Sequence, residues 1–246
     1  MVDVTKEELI AASGASLVGF KQNTTVASTR TVEAKLREAV SVRDYGAVGD
    51  GSTDDSDAIN AAIASALTIG GTLFFPKGFY RVVRTLNIGL QVYTNYQQPI
   101  DSIGWEGCSL NTANKAANAS KKRLDVVGEA GAVIIGDFTT TAPTPIIAYN
   151  LDNDTLEETG SIRNLTVITA NQFSSGKITP TAYDGNNLIG LFTGRGAKIV
   201  DKINYYGCGY GHVSLSSYWC THQNLEAFNC GRGFTFTEMN AGLHNS

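Results

Sequence analysis

The segment INYYGCGYGHVSL at 203–215 lies over LEAFNCGRGFTFT at 225–237 with an offset of 22 residues. Ile203 aligns with Leu225, Tyr206 with Phe228, Cys208 with Cys230, Gly209 with Gly231, and Gly211 with Gly233. A period of about twenty residues built from short strands and turns marks a solenoid, since each repeat can bury its apolar face only against its neighbours. Leucine-rich repeats share that length, but their leucine and asparagine framework is missing. A parallel β-helix fits better, with a β-sandwich of irregular hairpins as the alternative. Coils stacked about 4.8 Å apart put residues one period apart directly over one another. Cys208 with Cys230, and Tyr206 with Phe228, are then expected as internal ladders, and the paired glycines as successive copies of one tight turn. Tyr210 aligns with Arg232 in a column expected to face outward. His212 aligns with Phe234, at a position expected to be partly buried.

Composition supports many short strands joined often. Glycine supplies 26 of 246 residues, above the usual ~7%, with 5 prolines and no collagen period. The apolar share of 42% against 17% charged residues is enough for a sizeable core. Nineteen basic and twenty-three acidic residues give a net charge of −4, and the basic ones are dispersed except for Lys121, Lys122 and Arg123, so nucleic acid is not an expected partner. No apolar run is long enough to cross a bilayer, and Asp3, Glu7 and Glu8 stand where a secretory signal needs basic residues followed by an apolar core. Neither membrane insertion nor signal-peptide export is expected. The cysteines at 108, 208, 220 and 230 fit neither a disulfide scaffold nor a metal knuckle. Side chains stacked on parallel strands point the same way and make poor disulfides, so free thiols are expected.

Three regions follow along the chain. Residues 1–40 carry two helical stretches, 5–12, where Thr5 and Glu8 form a capping-box pattern, and 32–38. Between them Leu17, Val18 and Phe20 have no periodic partners, so they dock either on the following domain or on another chain. In residues 41–85, Asp54 or Asp55 caps a helix with apolar Ile59, Ala62, Ile63, Ala66 and Leu67 at three- and four-residue spacing, ended by Gly70 and Gly71. Residues 72–75 and 79–83 then read as hairpin-like strands around Pro76-Lys77-Gly78. Residues 86–246 hold short strands, among them 124–127, 133–135, 162–168 and 199–203, and no second long helix.

VRDYGAVGDGSTDDSDAINAAIASA followed by GGTLFFPKGFYRV, about forty-five residues of the 41–85 region, resembles the opening of the pectate-lyase-like superfamily. The resemblance implies an all-β, right-handed parallel β-helix with an N-terminal capping helix, in which Asp50, Gly51, Asp54 and Asp55 are structural and not catalytic. Upstream, GASLVGFKQNTTVASTRTVEAKLREAVSVRDYGA is similar to the segment preceding the β-helix in bacteriophage tailspikes and capsule depolymerases. That similarity implies a partly helical virion-attachment segment over 1–40, the β-helix entry and capping helix over 41–85, and coils over 86–246. It further implies a homotrimer, a phage tail or adaptor protein bound through 1–40, bacterial surface polysaccharide as the target, a place in the virion and assembly in the host cytoplasm. Members of that family run for several hundred residues more, so the chain reads as part of a longer spike.

No side chain in the sequence is assigned a catalytic role. Glycoside hydrolysis needs two carboxylates about 5–9.5 Å apart, and the candidates are Asp184, Asp201, Glu226 and Glu238, with Asn204 stacked beneath Glu226 in the 22-residue register. Lyase chemistry on uronic acids needs a base and usually carboxylates holding calcium. No such acidic triplet is visible, and His212, His222 and His244 share no metal-ligand spacing, so neither a metal nor another cofactor is expected. A serine-hydrolase nucleophile elbow is missing too. Tyr205, Tyr210, Tyr218 and Trp219 cluster within 205–219, and Tyr210, Arg232 and Trp219 form a candidate patch for glycan or a neighbouring subunit. A tailspike that attaches to the host is therefore the leading expectation, ahead of a polysaccharide depolymerase with a site within or between subunits. A stand-alone binding module comes third.

Overall fold

The computed structural model describes residues 5–88, 124–149, 160–193, 198–215, 220–237 and 243–245. Along the body of the chain, strands pair in parallel with strands one coil away. One face stacks Ala39–Ser41, Gly71–Phe75, Leu124–Gly128, the first halves of Gly160–Thr169, Lys198–Tyr206 and Thr221–Phe228, and Leu243–Asn245. A second face stacks Asp50–Asp54, Gly78–Val82, Ala132–Gly136 and the second halves of the same long strands. The third stacks Leu86–Ile88, Thr144–Tyr149, Leu188–Thr193, Tyr210–Leu215 and Arg232–Thr237. This is a parallel β-helix, and the 22-residue register is the one observed: Ile203 pairs with Leu225, Asn204 with Glu226, Tyr206 with Phe228, and Tyr210 with Arg232.

The long strands bend between the first two faces at a single left-handed residue. Asn164, Lys202 and Asn224, with φ of 58°, 54° and 52°, occupy that corner in successive coils. Asparagine tolerates this region better than most residues, so the lysine is the strained member. Residues 72–75 and 79–83 are strands, observed as Gly71–Phe75 and Gly78–Val82, but they do not form a hairpin. Pro76 and Lys77 carry the chain from one face to the next, and each strand pairs with the coils on either side.

Helix Ser56–Ile69 buries Ile59, Ala62, Ile63, Ala66 and Leu67, the five positions the spacing selects, and packs on the first coil. Gly70, at φ 69°, ends it. The aspartates before it are braces. Asp50 accepts from the Ser52 and Thr53 amides at 2.8 and 2.7 Å, which holds its carboxyl far below the usual range. Asp54 accepts from the Ser56 amide at 3.0 Å. Asp55, the N-cap residue, turns its buried carboxyl to the Val48 and Gly49 amides and not to the helix.

Two placements differ from the repeat-based expectation. Tyr206 and Phe228 stack, 4.8 Å apart and 17° from parallel, but on the outer surface, with Phe228 41% exposed. Alternation from the buried Ile203 sends the next odd-numbered side chain, Tyr205, inward instead. His212 is wholly buried, with Nε2 3.0 Å from Thr193 Oγ1. Cys208 and Cys220 are buried free thiols and Cys230 is a partly buried one, while Cys108 lies outside the described residues.

Tyr205 is accommodated by a column of glycines, Gly190, Gly211 and Gly233, on the facing third face; a Cβ on Gly190 would lie 2.6 Å from Tyr205 Cδ1. The buried hydroxyls of Tyr80 and Tyr149 donate to the carbonyls of Pro76 and Leu124 at 2.8 and 2.7 Å. Tyr205 Oη has no hydrogen-bond partner among the described residues, and burial pushes its pKa well up. An unsatisfied buried hydroxyl costs about 1–3 kcal/mol. Tyr205→Phe is therefore expected to raise the thermal midpoint by roughly 2–4 °C. A lower midpoint in a melting experiment would mean that the hydroxyl is satisfied.

At the N-terminus, helix Lys6–Ile10 has a reciprocal capping box between Thr5 and Glu8, and helix Val32–Leu36 is capped by Thr31. Gly19–Phe20 pairs antiparallel with Arg30–Thr31. Between residues 5 and 38 only Gly14 is buried. Val26, Ile10 and Leu36 are 91%, 75% and 67% exposed, and Leu9, Leu17 and Val18 are exposed as well.

Candidate functional site

One corner at which the coils differ in length is that where the second face hands over to the third. Val200 pairs with His222, 22 residues on, whereas Ile162 pairs with Val200, 38 on. The extra length is the segment 170–187. It opens with a 3-10 turn, Ala170–Gln172, followed by a small antiparallel hairpin, Phe173–Ser174 with Lys177–Ile178. The hairpin folds back over the outside of the second face. There Phe173 lies 4.9 Å from Phe79, and Phe173 and Ile178 pack over the buried Val133, Ile135 and Ile168.

Gln172 secures the root of this insertion. Its buried amide donates to Thr181 Oγ1 at 2.7 Å and accepts from the Thr181 amide at 2.9 Å. It also sits on Gly207, at φ 69°, where a Cβ would lie 2.5 Å from Gln172 Nε2. Asn186 secures the other end. Its Nδ2 donates to the Gly207 carbonyl at 2.7 Å, and its Oδ1 accepts from the Leu188 and Gly209 amides at 2.9 and 3.0 Å. Asp184 is held between these anchors, accepting from Asn171 Nδ2 at 2.9 Å and from the Asn186 amide at 3.1 Å.

Between this insertion and the segment 136–140 of the preceding coil lies a cleft of about 220 Å³, lined by Asp137, Thr140, Asn171, Asp184, Asn186 and Asn187 among others. Asp137 is paired with Arg81, Oδ2 to Nε at 2.7 Å. Farther along the same corner Tyr183 is 39% exposed. Its hydroxyl donates to the Asn186 carbonyl at 2.6 Å, and its ring lies against Gly231, where a Cβ would come within 2.9 Å. Arg232 stands over the ring of Tyr210, 5.7 Å from its centroid. The corner thus offers carboxylates, amides and hydroxyls beside aromatic rings, a combination that matches the hydroxyls and apolar faces of sugars.

Of the carboxylates singled out by sequence, only Asp184 lines this cleft. Asp201 lies on the outer side of the first face, accepting from Asn224 Nδ2 at 2.8 Å, and Glu226 is exposed on the second. Glu238, Tyr218 and Trp219 lie outside the described residues, and Tyr205 is core. Sequence reasoning missed Asp137, Asn171 and Tyr183. The interval between the strands at 162 and 200, longer than the 22-residue repeat, is the signal that marks the insertion carrying two of them. No group of three His, Cys, Asp or Glu side chains suited to a metal gathers among the described residues.

A helix-capped parallel β-helix with a loop-built cleft at one corner defines the structural class. The chain belongs to the rhamnogalacturonase A/epimerase, pectate lyase-like family, whose sequence profile matches residues 39–241. It is similar to the tail spike protein of an Escherichia phage, with 49% identity over 63 residues, 26% of this chain and 8% of that protein. It is also similar to alginate lyase 7 of Azotobacter vinelandii, with 60% identity over 42 residues, 17% of this chain and 5% of that protein. Among solved structures, tailspike protein 3 of bacteriophage CBA120 superimposes with a TM-score of 0.47 and 14% identity, covering 95% of this chain and 39% of that one. The matched segments are thus a tenth or less of the two curated relatives.

Proposed function

We propose that this chain is part of a bacteriophage tailspike: a homotrimer whose residues 1–40 fasten it to a tail or adaptor protein, and whose β-helix, entered over 41–85 and continued over 86–246, is directed at host surface polysaccharide. The protein is then assembled in the host cytoplasm and carried in the virion. The observation that carries this reading is the bare N-terminal segment. It leaves Leu9, Ile10, Leu17, Val18, Val26 and Leu36 exposed, so a partner surface must cover them for the segment to be well ordered. The similarity to the Escherichia phage tail spike points to the same kind of partner.

Light scattering of the purified chain should give a trimer, and deletion of residues 1–38 should abolish incorporation into virions while leaving the β-helix signal in circular dichroism. A monomer, or full incorporation of the deleted chain, would overturn the reading. A polysaccharide depolymerase, acting as a glycoside hydrolase or a lyase, is a second reading, favoured by the two carboxylates that line one cleft. Release of reducing or unsaturated sugar ends from host polysaccharide tests it.

A further inference from the structure

The chemistry of the corner cleft narrows the sugar it can take. Both ionisable side chains that line it are acidic, Asp137 and Asp184. Arg81 pairs with Asp137. Asp184 is met by neutral donors, the Asn171 side-chain amide and the Asn186 main-chain and side-chain amides. Among the described residues, no Lys, Arg or His belongs to the lining. Arg232, the cation on the Tyr210 ring, opens a strand two coils beyond Leu188–Thr193, the strand that follows Asp184.

We propose that this cleft is a subsite for an uncharged sugar residue and that it rejects uronic acids. The inference rests on the polysaccharide-directed reading above. Pyranose hydroxyls both donate and accept, so they match carboxylate oxygens, asparagine amides and the threonine hydroxyl equally well. A uronate carboxylate would have to approach Asp184, whose charge no cation among the described lining residues offsets, and would find there no donor stronger than a neutral amide. Nor do the described lining residues include a Lys, Arg or His to take a proton from a uronic acid ring carbon. Anchoring by Gln172 and Asn186 means that the site is shaped before a ligand arrives, so the repulsion is not relieved by a shift of the loop.

The test uses the whole chain in its native oligomeric state and titration calorimetry at low ionic strength, where charge effects are least screened. The probes are hexasaccharides from O-antigens built of uncharged hexoses, and oligogalacturonates of equal length. Neutral oligosaccharides are expected to bind at least tenfold more tightly than oligogalacturonates. Asp184→Asn should shrink that ratio several-fold by strengthening oligogalacturonate binding, and raised salt should shrink it in the wild type. Oligogalacturonate binding equal to or tighter than neutral binding would overturn the proposal, as would a ratio unmoved by both Asp184→Asn and salt. Binding of neither probe would overturn it too, while trimer formation and virion incorporation report separately on the spike reading.

Discussion

Gly190→Ala is expected to destabilise the protein by about 3 kcal/mol, the upper end of the usual penalty for overpacking a core. The added Cβ would stand 2.6 Å from Tyr205 Cδ1, 2.7 Å from the Gly211 carbonyl oxygen and 3.3 Å from Cys208 Sγ. None of these atoms has room to yield. Tyr205 is wholly buried, the Gly211 carbonyl belongs to the next coil, and Cys208 is buried in the same layer. Gly233→Ala serves as the control, because it lies in the same column but its Cβ meets only Ala227 Cβ, at 3.4 Å. It should change stability by less than about 0.5 kcal/mol, helped by the smaller entropy of the unfolded alanine chain. Denaturant unfolding of the two variants decides the matter. Equal losses would mean that glycine is needed in this column for backbone freedom and not to make room for Tyr205.

That column shows what the sequence could and could not reveal. An offset of 22 residues found the register, because stacked parallel strands repeat both length and residue type when their turns are equally short. It could not say which side of the sheet a ladder faces. Tyr206 and Phe228 are as apolar as a core pair, yet the alternation that buries Ile203 and Tyr205 turns them outward. The buried face of the capping helix was legible, since five apolar positions at helical spacing leave one face to bury, but the turn of the Asp55 carboxyl away from the helix was not. The hairpin expected at 72–83 failed because two strands around a Pro-Lys-Gly turn look alike whether the chain reverses or merely turns a corner. The cleft was the least legible part. Asp137 and Asp184 come from different coils, and their meeting depends on the length and anchoring of 170–187, which no local pattern encodes.

Asp55→Ala is expected to cost about 3 kcal/mol, because it takes the acceptor from two main-chain amides, each left unsatisfied at about 1–3 kcal/mol. The wild-type carboxyl accepts from the Val48 amide at 2.7 Å and the Gly49 amide at 3.0 Å, while its own amide donates to the Arg81 carbonyl at 2.8 Å. It thus ties the entry loop to the capping helix and the second face. The pH dependence gives the finer test. Burial is the largest influence on this carboxyl and raises its pKa. The two amide donors oppose that rise, and the charges of Asp50 and Asp54 add to it. A raised folded-state value means that the folded chain holds the proton more tightly than the unfolded one. The Asp55 contribution is then fullest below the ordinary carboxylate value, near ~3.9, and declines as pH rises through the folded-state value. Urea unfolding of wild type and Asp55→Ala should therefore show a wider stability gap at about pH 3.5 than at about pH 7. Asp50 has the opposite sign, since its depressed pKa makes its contribution fade in acid, and it is present in both chains, so the difference reads chiefly Asp55 and its interaction with that charge. A gap that narrows in acid would mean that the amide donors outweigh burial at Asp55, and that the entry signature is held by a carboxylate stabilised in its charged form.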